Sequence, residues 1–183
     1  FVILLVRTSS AQVQRWQFTG SLGLTEQVTV YDPAIKNGSF LNGWRISAGA
    51  RRHFNRFYLQ PTADFRVYDQ EAIQQIAILQ GNPANYYAAL LLPAGYKVYA
   101  NDHFNLRVFT GVSGQYLLTV GDNKGGFTKD QYNRFNAGAL LGLGVDFKPV
   151  YFDFHYEYGL NAYFRDPDTR ADAFCFTLGV LFN

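Results

Sequence analysis

From residue 135 to residue 160 the chain alternates with a period of two. Phe135, Ala137, Ala139, Leu141, Leu143, Val145 and Phe147 share one face, against Asn136, Gly138, Leu140, Gly142, Gly144 and Asp146. After Lys148-Pro149-Val150 the alternation resumes. Phe152, Phe154, Tyr156, Tyr158 and Leu160 lie opposite Asp153, His155, Glu157 and Gly159. A period of two predicts strands with two unlike faces, and so short a link predicts an antiparallel hairpin. One face is continuously aromatic and aliphatic; the other holds glycines and charges.

The same pattern predicts six more strands. Residues 15–25 place Trp16, Phe18, Gly20, Leu22 and Leu24 on one side. Residues 44–51 place Trp44, Ile46, Ala48 and Ala50 against Arg45, Ser47, Gly49 and Arg51. Residues 57–68 set Phe57, Leu59, Ala63, Phe65 and Val67 against Tyr58, Gln60, Thr62, Asp64, Arg66 and Tyr68. Pro61 predicts a bulge or fraying there, because it has no N–H to donate. Residues 86–99, interrupted by Pro93, and residues 104–117 form the next pair, and residues 173–183 close the chain. Long links are expected at 26–42, 69–85, 119–133 and 161–172, with a short helix at 71–80.

Long and short connections therefore alternate along eight strands. Short turns gather at one end and long links at the other. That layout predicts an all-β, eight-stranded antiparallel up-and-down transmembrane β-barrel of the bacterial outer membrane. Closure satisfies every backbone donor and acceptor, as lipid demands. Aromatic girdles are expected from Trp16, Phe57, Phe104, Phe147, Tyr151 and Phe182 at the turn side. Trp44, Tyr86, Tyr158, Tyr163 and Phe174 would form the loop-side girdle.

Composition sharpens this picture. Charged residues make up 16% of the 183, below the roughly 25% of soluble domains. A soluble lipocalin-like barrel, apolar inside around a ligand, is the main competitor. The sparse, glycine-interleaved charged face argues against it, because a water-facing surface would carry more Lys and Glu. The net charge of +2 and the lack of a basic stripe argue against a nucleic-acid partner. A single cysteine, Cys175, excludes an internal disulfide and a cysteine-based zinc site. Residues 1–11 resemble the tail of a secretory signal, an apolar run followed by small residues. The barrel domain is then 12–183.

From Ala137 onward the chain resembles the PorT-like outer-membrane β-barrel family common in Bacteroidota. The residues that carry the resemblance are Gly142-Leu-Gly-Val-Asp-Phe147, Tyr156-Glu-Tyr-Gly-Leu-Asn161 and Leu178-Gly-Val-Leu-Phe182, with Phe57-Tyr-Leu-Gln-Pro61 and Leu92-Pro93. The resemblance implies an eight-stranded barrel in an outer membrane, some of whose relatives belong to secretion or gliding machinery. It implies no catalytic residue.

If the apolar face meets lipid, the polar face fills the lumen. Arg45, Arg51, Arg66, Lys97 and Arg107 would then lie among Asp64, Asp146, Asp153, His155 and Glu157. Unpaired charge there is costly, so a network of ion pairs is expected. Glycines at 49, 95, 111, 138, 142, 144 and 179 would make room for long side chains. His155 and Glu157, two apart on one strand, could serve acid/base chemistry or bind a metal, but no nucleophile is evident beside them. His53 and His103 are expected in solvated turns. Cys175 is expected as a small filler in the lumen, and residues 121–126 lack the context of a phosphate loop. The reading assigns no catalytic residue, cofactor or metal. It gives a monomeric structural or interaction protein with lipid around it and a protein partner at loops 26–42 and 69–85. A narrow pore and a lipid- or peptide-modifying enzyme are the alternatives.

Overall fold

The computed structural model describes residues 16–30, 43–69, 84–122, 128–163, 165 and 170–182. The strands are β1 (Trp16–Val30), β2 (Gly43–Phe54), β3 (Phe57–Leu59), β4 (Thr62–Asp69), β5 (Ala84–Ala100), β6 (Phe104–Val120), β7 (Phe135–Phe147), β8 (Val150–Gly159) and β9 (Arg170–Phe182). All pairings are antiparallel: β3 and β4 both lie between β2 and β5, β5 to β9 pair in chain order, and β1 pairs with both β2 and β9, which closes the ring. β3 and β4 are two halves of one barrel strand, so the ring has eight staves. A closed antiparallel ring leaves no edge with unpaired N–H and C=O groups.

Sidedness is inverted relative to a soluble barrel. Leu141 is 68% exposed and Phe18, Leu22, Leu90, Phe147 and Leu178 are similarly bare, whereas Arg51, Arg66 and Arg107 are at 0–1%. The apolar face therefore points outward and the charges point inward. This excludes the lipocalin-like arrangement.

The outward face also has measurable height. Arg52 stands on it at the turn end, beside Trp16 in register. At the loop end the alternation puts Glu26 on β1, Asp69 on β4, and Arg170 and Asp172 on β9. Between these levels no described strand residue turns a charge outward. Ten residues separate Trp16 from Glu26; at about 3.3 Å each and a tilt near 40° they rise about 25 Å, the height of an outer-membrane apolar band.

Several boundaries differ from the sequence expectation. β1 runs on to Val30, because Glu26 to Val30 pair with Phe174 to Arg170. For the same reason β9 starts at Arg170, while β5 begins at Ala84 and β6 ends at Val120. The loops expected at 26–42 and 69–85 are thus shorter. Their remaining parts, the helix expected at 71–80 and residues 1–15 lie outside the described residues.

Pro61 interrupts the stave, since β3 ends at Leu59 and β4 resumes at Thr62, but it does not cause a bulge. Leu59 pairs with Arg52 and Thr62 with Gly49, so the register runs straight through. Ala50 N still donates to Pro61 O at 3.0 Å, and Gln60 N to Pro93 O at 2.9 Å. Pro93 cannot return a donor to Gln60, and the Thr62 hydroxyl supplies one instead, at 3.1 Å to Gln60 O. The bulge-like register shifts fall elsewhere, at both ends of the β5–β6 hairpin.

An outward arginine at mid-height should be intolerable where one near the rim is not. Leu141→Arg is expected to lower the unfolding free energy in a bilayer by about 2–4 kcal/mol, and Phe135→Arg, at the loop end of the same strand, by about 0–1 kcal/mol. Urea unfolding in phospholipid vesicles checks both.

Candidate functional site in the barrel lumen

The inward face of an eight-stranded barrel encloses just enough space for side chains to fill. Two charged layers occupy it. In the layer nearer the turns, Arg51 Nη1 reaches both oxygens of Asp146 at 3.1 Å, and its Nε donates to Gln60 Oε1 at 2.7 Å. Arg107 donates through Nε to Asp146 Oδ1 at 2.9 Å, through Nη2 to Asp153 Oδ1 at 2.6 Å and through Nη1 to the Tyr58 hydroxyl at 2.9 Å. Asn105 adds a donor to Asp146 at 3.3 Å. The Tyr58 and Tyr151 rings flank both guanidiniums, with centroids 5.2–6.0 Å from the Cζ atoms. Cation–π attraction is strongest in such a desolvated place.

The layer nearer the loops has a different plan. Arg45 and Arg66 are directly opposed on β2 and β4. Like charges so placed repel, and Asp64 bridges them, 2.5 Å from Arg45 Nη2 and 3.1 Å from Arg66 Nε. Arg66 Nη1 crosses the barrel to Glu157 Oε2 at 2.9 Å. Ser113 donates to the other Glu157 oxygen, and Arg45 Nη1 lies 3.2 Å from His155 Nε2. Four arginines thus meet four carboxylates across the two layers.

Close approach explains two of the glycines. A Cβ on Gly144 would stand 2.7 Å from Arg107 Cζ, and one on Gly142 would stand 2.7 Å from His155 Cβ. Both side chains cross space that any other residue would fill.

The sequence-derived residues fall as follows. Arg45, Arg51, Asp64, Arg66, Arg107, Asp146, Asp153, His155 and Glu157 all lie buried in the lumen. Lys97 stands apart, half-buried at the turn-side mouth, with no ion pair among the described residues. His53 is not a solvated turn residue: it lies in β2, one residue before its end, half-buried and with Nε2 2.7 Å from Gln17 Oε1. His103 is exposed in its turn.

Two aromatics expected in the outer girdles belong inside. Tyr151 is 3% exposed beneath the arginines, because it falls in phase with Asp153 and not with Phe152. Tyr163, 1% exposed, caps the loop-side mouth with Tyr68, Tyr87, Leu117 and Tyr132. Its hydroxyl accepts from Tyr87 at 3.0 Å and Asn85 at 3.1 Å. Burial holds the Tyr132 and Tyr163 hydroxyls above the ordinary tyrosine value, so both stay neutral. The sequence pattern also missed an apolar belt within the lumen, made by Tyr58, Ala89, Leu91, Phe109 and Leu140. Phe109 and Leu140 interrupt otherwise polar faces, and that interruption was the available signal.

His155, Glu157 and Cys175 bring three ligand-type atoms within 4.8 Å of one another. The surroundings do not suit a metal ion. Both Glu157 oxygens are engaged, by Arg66 and Ser113. Arg45 only donates, so His155 Nε2 carries the lone pair and Nδ1 the proton. A cation at Nδ1 would have to move that proton to the nitrogen facing a guanidinium. The Ser113 hydroxyl is directed at Glu157.

Truncating one partner of this network should cost far more than truncating a surface pair. Arg107→Ala leaves Asp153 without its arginine and is expected to destabilise the barrel by about 3–5 kcal/mol. Arg134→Ala, which removes an exposed 3.3 Å contact with Asp130, should change stability by less than about 1 kcal/mol. Urea titrations read by gel mobility of unboiled samples distinguish them.

Comparison with known proteins agrees with this architecture. A family model described as "Outer membrane protein beta-barrel domain" matches residues 80–165. No curated protein matches the chain in sequence. Neisserial surface protein A (NspA) is similar in structure, with a TM-score of 0.58 and 12% identity over 90% of this chain and 96% of that one. The outer membrane enzyme PagL superposes with a TM-score of 0.53 and 11% identity, covering 87% of this chain and 98% of that one. At such identities the likeness concerns the fold. With the lipid-facing band, the inward charges and the matched domain together, the chain is a small antiparallel β-barrel of the bacterial outer membrane.

Proposed function

We propose that the protein is a structural or interaction component of the cell envelope, built on a barrel whose lumen is a solid polar plug. The observation that supports this most is the filling of the lumen. Two Arg–carboxylate layers, the apolar belt and the aromatic cap pack the lumen, and two cavities lined by described residues hold about 20 and 30 Å³, enough for one or two waters each. A solute path would need side chains in both layers to part, and each parting strands buried charge.

A non-enzymatic role is favoured by the same packing. His155, Glu157 and Ser113 are engaged with arginines and one another, and the cavities that Glu157 and His155 line are water-sized. A monomer in lipid suits a ring that leaves no strand edge to pair. The PorT-like character of the residues at 142–147, 156–161 and 178–182 supports a place as an accessory of a larger envelope or secretion complex. The partner surface would be the loop side, at the links expected over 26–42 and 69–85.

Planar-bilayer recording tests the plug. The intact protein should give no stable single-channel current, and Arg66→Ala combined with Arg107→Ala should give intermittent conductance if the barrel still folds. Steady unitary currents from the unaltered protein would contradict the proposal.

A further inference from the structure

We propose that the turn-end mouth of the lumen binds an acidic peptide segment of a periplasmic partner, with Lys97 as its central contact. Lys97 has inward parity on β5 and is directly opposed to Arg107 on β6. Its backbone N–H donates to Arg56 O at 2.9 Å, which sets it beside the β2–β3 turn. Half-buried, it stands where the lumen meets water.

The loop-side layer shows what such a pair of like charges requires. Arg45 and Arg66 are opposed in the same way, and Asp64 bridges them at 2.5 and 3.1 Å. Among the described residues no side chain does this for Lys97 and Arg107. The carboxylate that attracts Lys97 most is Asp146, which Arg51 and Arg107 already hold. The other charges acting on it, Arg51, Lys148 and Arg107, all repel it. Arg45 and Arg66 are balanced by Asp64 and Glu157, whereas Arg51, Arg107 and Lys97 share Asp146 and Asp153, three cations to two carboxylates. The missing bridge is a carboxylate from outside the barrel.

The wall sets the class of partner. Lys97 faces the mouth, so its own strand stands between it and the lipid headgroups. Two further cations stand on separate turns, Arg56 between β2 and β3 and Lys148 between β7 and β8, both exposed. Asp102, in the β5–β6 turn, is the one exposed carboxylate among the described residues of this end. A small anion would meet Lys97 alone, whereas an extended chain with several carboxylates can reach all three cations. The short turns of such barrels face the periplasm, and a basic rim speeds encounter with an acidic partner there. The inference rests on the interaction role proposed above and carries it to the other end of the barrel; the plug itself is tested separately, by conductance.

Fluorescence anisotropy of labelled hexaglutamate, titrated with the full refolded chain in a neutral detergent, tests this against labelled hexaglutamine. Hexaglutamate should bind and hexaglutamine should not, and added salt should weaken the binding. Lys97→Gln should lower the affinity about fivefold, the scale of one partly exposed ion pair. Arg134→Gln, at the loop end, should leave it unchanged. Should Lys97→Gln not fold, acetylation of the unaltered chain reads the same contact: hexaglutamate should slow modification of Lys97 and not of Lys129 at the loop end. Equal binding of the two peptides, undiminished affinity in Lys97→Gln, an equal loss in Arg134→Gln or unprotected Lys97 would overturn the proposal. Full displacement of the peptide by inorganic phosphate at matched ionic strength would also overturn it, by making the mouth a small-anion site.

Discussion

Hydrocarbon offers a backbone no hydrogen bonds, and every feature of this protein follows from that constraint. A strand in lipid must find all its N–H and C=O partners in neighbouring strands. The ring from β1 round to β9 and back meets that demand without an edge. Where proline removes a donor the wall repairs itself locally, as the Thr62 hydroxyl does for Gln60 O. Once the ring is closed, one side of every strand faces lipid and the other faces a space about as wide as two side chains.

Filling that space with charge is a demanding solution. A buried ion pair seldom stabilises a protein relative to apolar packing, although losing one partner is severe. The lumen therefore behaves as a set of mutual obligations. Asp146 serves Arg51 and Arg107 together, Asp64 separates Arg45 from Arg66, and Glu157 holds Arg66 from across the barrel. Long side chains from facing walls specify which strands lie opposite, which a smooth apolar lumen would not do. Glycines at 142 and 144 are part of the same plan, since the chains that cross need room at their base.

Much of this was legible in the sequence, for a physical reason. With period two, each residue's face is set by its parity, so Leu141 outward and Asp146 inward follow from counting. Parity also misleads at strand ends, where loops set the phase. Tyr163 looked like a girdle residue and instead turns in to cap the mouth. Tyr151 stands beside a turn, where a girdle residue is expected, but its parity is that of Asp153 and it points inward. The polar residues at Glu26–Val30 resemble a loop in sequence and become strand only through their partners on β9. Pair identities were beyond reach. That Arg51 chooses Asp146 while Arg66 chooses Glu157 depends on the stagger of the ring, which single-sequence periodicity does not contain. Lys97 shows the limit: its parity is inward, yet it stands outside the ion pairs.

The central claim is the inversion of sidedness, and lipid contact measures it directly. In a background with Trp16→Phe and Trp44→Phe, a single indole is introduced by Leu141→Trp or by Phe109→Trp, and emission is compared in vesicles with and without brominated acyl chains. The account predicts strong quenching at position 141, on the lipid side, and little at position 109, inside the plug. Strong quenching at 109 with none at 141 would contradict it.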